Sequence, residues 1–147
     1  MVVVPLLEPG HTRHALDLAS RLAFKRGTRL LLLAPLYVDW ELPLDAHFKE
    51  QEAALRDELR RESAIAETYG VSAHTQIVRT RPGELGRGVA EAAAEVNASL
   101  IVLGAAVDSQ RGFTRPFSRD VWSVLNDATC PVMIATGEPR KAEREAA

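Results

Sequence analysis

The chain has 147 residues, enough for one domain with a sizeable core, and its 46% hydrophobic and 26% charged composition is that of a globular protein. The net charge of −2 gives no basic excess, so a nucleic-acid partner is not expected. No apolar run approaches the ~20 residues of a membrane-spanning helix, so direct membrane insertion is not expected either. Cys130 is the only cysteine. It excludes an intrachain disulfide and favours a reducing, cytoplasmic location.

The first half of the chain alternates between strand and helix patterns. Apolar runs without alternation predict buried strands over residues 2–7 and 29–35. Helical spacing predicts a helix from Thr12, as its cap, to about Arg26, and a long helix over residues 45–69. The loop between the second strand and the long helix contains Trp40. A lone aromatic there is more often a lid over local core than a platform for a ligand or partner.

The second half continues the same alternation. Residues 71–78 predict an edge strand, Pro82 opens a third helix, and residues 100–103 predict a buried strand that ends at Gly104. A fourth helix is predicted from Phe117, with Ser118 as its N-cap. Residues 132–135 predict the last strand. The charged segment 137–147 has no core-facing stripe, and we expect it to be disordered.

The alternation predicts a single α/β domain, a doubly wound parallel sheet with right-handed crossovers and helices on both faces. In such sheets ligands bind in the crevice at the carboxyl ends of the strands, where the strand order reverses. The pattern alone leaves the strand order open. A glycine at the end of a strand, such as Gly104, would let a ligand approach the backbone closely.

The residues around Gly104, Ser118 and the ending Val124–Ile134 resemble the universal stress protein family. The resemblance covers about residues 1–136. It implies a five-stranded sheet of order 3-2-1-4-5, an adenine nucleotide alpha hydrolase-like fold, with the switch point between the strands that carry Leu7 and Gly104. It also implies a stress-response role.

The family's nucleotide motif is largely altered. Leu7 stands where nucleotide-binding members have Asp, and Val107 and Phe117 stand where they have glycines. Thr80-Arg81 replaces a Gly-Asp pair before the third helix. An apolar side chain at position 7 cannot accept a ligand hydrogen bond, and Cβ atoms at the glycine positions hinder backbone N–H groups from surrounding phosphate. We therefore expect no cofactor, with ATP and Mg²⁺ disfavoured.

Basic residues near the altered motif leave an anion site open as an alternative. Arg111, Arg115 and Arg119 flank the loop, and Ser118 opens a helix whose N-terminus attracts anions. The candidate ligand-binding residues are Leu7, Gly104, Arg115, Ser118 and Arg119.

No catalytic constellation is found. His11 and His14 have no carboxylate or cysteine at metal-ligand spacing, and Ser118 has no evident base. The sequence therefore predicts neither an enzyme nor a metal protein.

The outer strand provides the predicted interface. In the implied order it has a free apolar edge, formed by Val132, Met133, Ile134 and Ala135. Members of the family commonly dimerise through this strand, so the resemblance implies a homodimer that acts by protein association in the cytoplasm. Two alternatives remain, namely a nucleotide- or anion-sensing module that uses the altered Gly104/Ser118 site, and a regulatory domain associated with a membrane transporter.

Overall fold

The computed structural model describes residues 1–106 and 117–136, in which five strands alternate with four helices. The strands are β1 (Val2–Pro5), β2 (Leu30–Tyr37), β3 (Ala73–Thr80), β4 (Leu100–Gly104) and β5 (Val132–Ala135). The helices are α1 (Pro9–Arg26), α2 (Lys49–Thr68), α3 (Leu85–Glu95) and α4 (Arg119–Asp127). The segment 137–147, predicted to be a disordered tail, lies outside the described residues, as do residues 107–116.

The strands form one parallel sheet of order β3-β2-β1-β4-β5, which confirms the predicted fold class and strand order. Val3 in β1 pairs with Leu31 on one side and with Ile101 on the other. Both neighbours of β1 run parallel to it. The chain continues from β1 to β2 and β3 on one side of the sheet, and β4 and β5 lie on the other side. The order therefore reverses between β1 and β4, which makes their carboxyl ends the expected ligand crevice.

The sheet separates two apolar clusters, one on each face. Residues at alternate positions, such as Val2 and Val4, pack with Leu16 of α1 and Leu59 of α2. Val3 belongs to the opposite cluster, which is formed with α3 and α4. Burial on both faces explains why β1, β2 and β4 are apolar without alternation.

Helix starts differ from the sequence predictions by two to four residues. Helix α1 begins at Pro9, not Thr12, because the fixed φ of proline suits the first helical position. The Thr12 hydroxyl is one turn inside the helix and donates to the Glu8 carbonyl at 3.1 Å. Helix α3 begins at Leu85, not Pro82, because Gly83 has a φ of 85° and ends the preceding turn.

Strand β5 is an edge strand of the sheet. It pairs with β4 through Ile101–Val132 to Gly104–Ala135, and the described residues place no strand along its other edge. Ala135 is buried, whereas Met133 is 37% exposed. None of the described helices is both long and apolar enough to cross a membrane.

Candidate functional site

The crevice at the switch point is bounded by the segments that follow β1 and β4. Leu7 and Glu8 leave β1 and lead directly into α1, whereas Gly104 ends β4 and Ala106 lies two residues beyond it. The N-terminus of α4, with Ser118 and Arg119, comes next among the described residues. Two of the candidate residues, Leu7 just after β1 and Gly104 at the end of β4, therefore lie at the carboxyl ends of adjacent strands.

Gly104 is held against helix α1. A Cβ built on Gly104 would lie 2.1 Å from the His11 carbonyl oxygen and 3.1 Å from the Ala15 Cβ. The first atom belongs to the backbone of α1 and the second to the one-carbon side chain of an alanine. Neither can move aside as the end of a long, flexible side chain could. The sequence analysis expected a ligand to approach the backbone at Gly104, whereas the group that approaches it in this structure is helix α1.

Leu7 and Phe117 contribute to the core instead of lining an open polar cavity. Both are half-buried and pack against the apolar cluster formed with α3 and α4. The Phe117 ring meets the Trp122 ring edge-on, with centroids 6.1 Å apart and planes inclined by 63°. The side chains at positions 7 and 117 thus extend the apolar packing next to the crevice.

A carboxylate that was not predicted from the sequence lies at the crevice. The backbone N–H of Ala106 donates to the Glu8 Oε2 at 2.9 Å, a partly buried contact between residues 98 apart in sequence. Glu8 is also the N-cap of α1, so its negative charge stands at the positive end of that helix. The signal was an acidic residue immediately after the first strand, at the edge where the ligand was expected.

At the start of α4, Ser118 is the N-cap, as predicted. Its Oγ accepts from the Val121 N–H at 3.4 Å, while the exposed Arg119 extends towards the turn at Gly83. Asp120 in the first turn accepts a 2.6 Å hydrogen bond from the Tyr37 hydroxyl at the end of β2. Partial burial and this bond to Asp120 raise the pKa of Tyr37 well above its usual value. The phenol therefore stays protonated, and it holds α4 to the sheet.

Three of the sequence-identified residues cannot be placed. Val107, Arg111 and Arg115 lie in the loop outside the described residues. Within the described ranges, no group of three metal-ligating side chains comes together. His11 and His14 are both in the first half of α1, where His14 is exposed.

Arg81, in the Thr80-Arg81 pair, forms hydrogen bonds with the loop after β2. Arg81 donates to the carbonyls of Asp39 and Leu42, and its Cζ lies 5.6 Å from the centroid of the Trp40 ring. The Trp40 side chain is 63% exposed, so it is not a lid over local core. Arg81 therefore orders a surface loop.

The sequence model of the Universal stress protein family matches residues 1–136. The chain belongs to this family. No match was found among curated proteins. Solved structures show the same fold.

A universal stress protein from Archaeoglobus fulgidus is 21% identical, with a TM-score of 0.73 over 90% of this chain and 96% of that one. The structure of the Archaeoglobus fulgidus protein in complex with dAMP is 19% identical, with a TM-score of 0.69 over 90% and 94%. A family protein from Burkholderia pseudomallei is 24% identical, with a TM-score of 0.61 over 92% and 96%.

Within the family fold, this member has an apolar side chain at position 7 and an aromatic ring at position 117, both packed against the core, and a carboxylate at position 8 that accepts from the Ala106 N–H.

Proposed function

We propose that this universal stress protein acts in the stress response by association, as a non-catalytic cytoplasmic homodimer that does not bind ATP in the family's usual way. The observation that carries the loss of ATP binding is the hydrogen bond from the Ala106 N–H to Glu8. An N–H group already paired with a carboxylate is not free for a phosphate oxygen, and the two negative charges would repel each other.

The apolar neighbours support the same conclusion. Leu7 and Phe117 are packed against the cluster that includes Val121 and Val124. To admit a triphosphate, this packing would have to open and apolar surface would have to return to water. ATP and Mg²⁺ are therefore disfavoured as cofactors.

The proposed dimer uses the outer edge of β5. Val132, Met133 and Ile134 are only partly covered within one chain, and Met133 is 37% exposed. A second β5 strand could continue the sheet and satisfy the free backbone groups of this edge. Burial raises the pKa of the Cys130 thiol and so disfavours the nucleophilic thiolate, which is consistent with the non-catalytic part of the proposal.

A second candidate function is anion sensing at the start of α4. It is favoured by the exposed Arg119 beside the Ser118 cap, and by the dAMP complex of the related protein. In that case the anion would bind the helix N-terminus without displacing Glu8 from Ala106.

Native mass spectrometry of the purified chain, with and without ATP and Mg²⁺, tests the proposal. We expect a dimer mass with no nucleotide adduct. The Archaeoglobus fulgidus protein with dAMP serves as the positive control for adduct survival. A near-stoichiometric ATP adduct would overturn the ATP statement and favour sensing, and a monomer at high micromolar concentration would overturn the dimer.

A further inference from the structure

The loop between β2 and α2 presents three large apolar side chains to solvent. Within five consecutive residues, Trp40 is 63% exposed, Leu42 is 41% exposed and Leu44 is 45% exposed. Large apolar side chains grouped this closely on a surface are typical of an interaction site, whereas single ones are common and carry no meaning.

This loop is ordered by its own backbone and by two arginines of the β3 end. It consists of two successive turns, closed by hydrogen bonds from Leu42 to Asp39 and from Ala46 to Pro43, each 3.0 Å. Arg81 donates to the carbonyls of the first turn, and Arg79 donates to the Leu44 and Ala46 carbonyls of the second. Four backbone carbonyls of the loop thus accept hydrogen bonds from these two arginines.

The guanidinium groups of Arg79 and Arg81 are themselves held by other side chains. Arg79 forms an ion pair with Glu52 of α2, and Arg81 lies over the Trp40 ring at cation–π distance. A surface already held in one conformation loses little conformational entropy when a partner binds, which favours affinity. The loop therefore has the rigidity as well as the apolar anchors of a binding surface.

The charges of the loop define the partner. Asp39, Glu41 and Asp45 are exposed and alternate with the apolar residues, and their three negative charges outnumber the positive charge of Arg81 at Trp40. Negative charge around an apolar centre repels nucleic acid and anionic lipid surfaces. It complements a protein surface on which lysine or arginine flanks an apolar strip.

We propose that the segment Asp39–Asp45, here called the acidic-apolar loop, is a docking surface for a basic amphipathic protein segment, with Trp40 as its central anchor. The inference rests on the proposed role in association and names the class of partner. It does not depend on the β5 dimer.

Two synthetic helical peptides test it. Each is about 18 residues long, roughly five helical turns, with the same leucine face flanked by lysines in one peptide and by glutamates in the other. We expect the lysine peptide to bind at least about tenfold more tightly in a fluorescence anisotropy titration, and Trp40→Ala to weaken that binding by about tenfold or more, as expected for an aromatic anchor.

The matched control is Phe24→Ala, because Phe24 is also an exposed aromatic residue, 63% accessible, but lies in α1 beside Gly70. Its affinity should stay within about twofold of the wild type. Trp40→Ala leaves every charge in place, so it separates docking from unspecific attraction. Equal binding of both peptides, or equal effects of the two alanine variants, would overturn the proposal.

Sedimentation velocity on the same samples separates this inference from the proposed dimer. A chain that is monomeric but still binds the lysine peptide through Trp40 supports the docking surface and overturns only the dimer. A dimer that fails to bind the peptide overturns only the docking surface. A change of oligomeric state in Trp40→Ala would mean that a second copy occupies the acidic-apolar loop, which also overturns the proposal.

Discussion

Gly104 shows how a single residue type can carry two meanings. The glycine indicated a position where another group approaches the backbone closely, and we expected that group to be a ligand. In the structure the His11 carbonyl occupies that space. Sequence alone cannot distinguish the two because both require the absence of a Cβ atom. Glu8 was missed for a related reason, since its partner is a backbone N–H, which no side-chain motif records.

Gly104→Ala should therefore lower the free energy of unfolding by about 3 kcal/mol, through overpacking between β4 and α1. Gly10→Ala is the control, because a Cβ on Gly10 meets nothing within 4 Å. It should leave stability unchanged or raise it by up to about 1 kcal/mol, since alanine favours the helix. Urea unfolding followed by circular dichroism measures both. A loss below about 0.5 kcal/mol in Gly104→Ala would remove the packing explanation.

Helices α3 and α4 illustrate what element patterns do and do not predict. Their apolar stripes were visible in the sequence, but their mutual contact was not. Ser123 of α4 accepts a 2.8 Å hydrogen bond from the Gly86 N–H near the start of α3 and donates to the Gly83 carbonyl at 3.3 Å. No side chain of its own caps α3. A residue of one helix thus caps another, 37 residues away.

Ser123→Ala should lower the free energy of unfolding by about 2 kcal/mol, because it leaves the buried Gly86 N–H without an acceptor. Ser118→Ala, which removes the cap of α4 itself, should lower it by about 1 kcal/mol. Amide hydrogen exchange distinguishes the two effects, since only Ser123→Ala should accelerate exchange at Gly86. Equal exchange at Gly86 in both variants would contradict the cross-helix cap.

At the scale of the whole molecule, the strand and helix alternation predicted the fold class, because strands such as β1 are buried on both faces and read as continuous apolar runs. The order of the strands came from the resemblance, since periodicity contains no information on which strands are neighbours. The bracing of the loop after β2 could not be predicted, because it depends on arginines that follow it by about forty residues.

The free edge of β5 makes a prediction about assembly. Met133→Arg places a charge on the exposed part of this strand and should shift the proposed dimer towards monomer. Phe24→Arg adds the same charge at another exposed apolar position and should leave the dimer intact. Sedimentation velocity over a concentration series measures both. Dimers of equal stability in the two variants would place the interface elsewhere.

Because the Ala106 N–H is hydrogen-bonded to Glu8, hydrogen exchange at this amide reports on opening of the crevice. Its hydrogen can exchange with solvent only when the carboxylate releases it, so its exchange rate reports the equilibrium by which the segments after β1 and β4 separate. A ligand that needed the amide would have to wait for that same event. The opening equilibrium therefore weakens the apparent affinity of any anion for this position, in proportion to the fraction of molecules in which the amide is free.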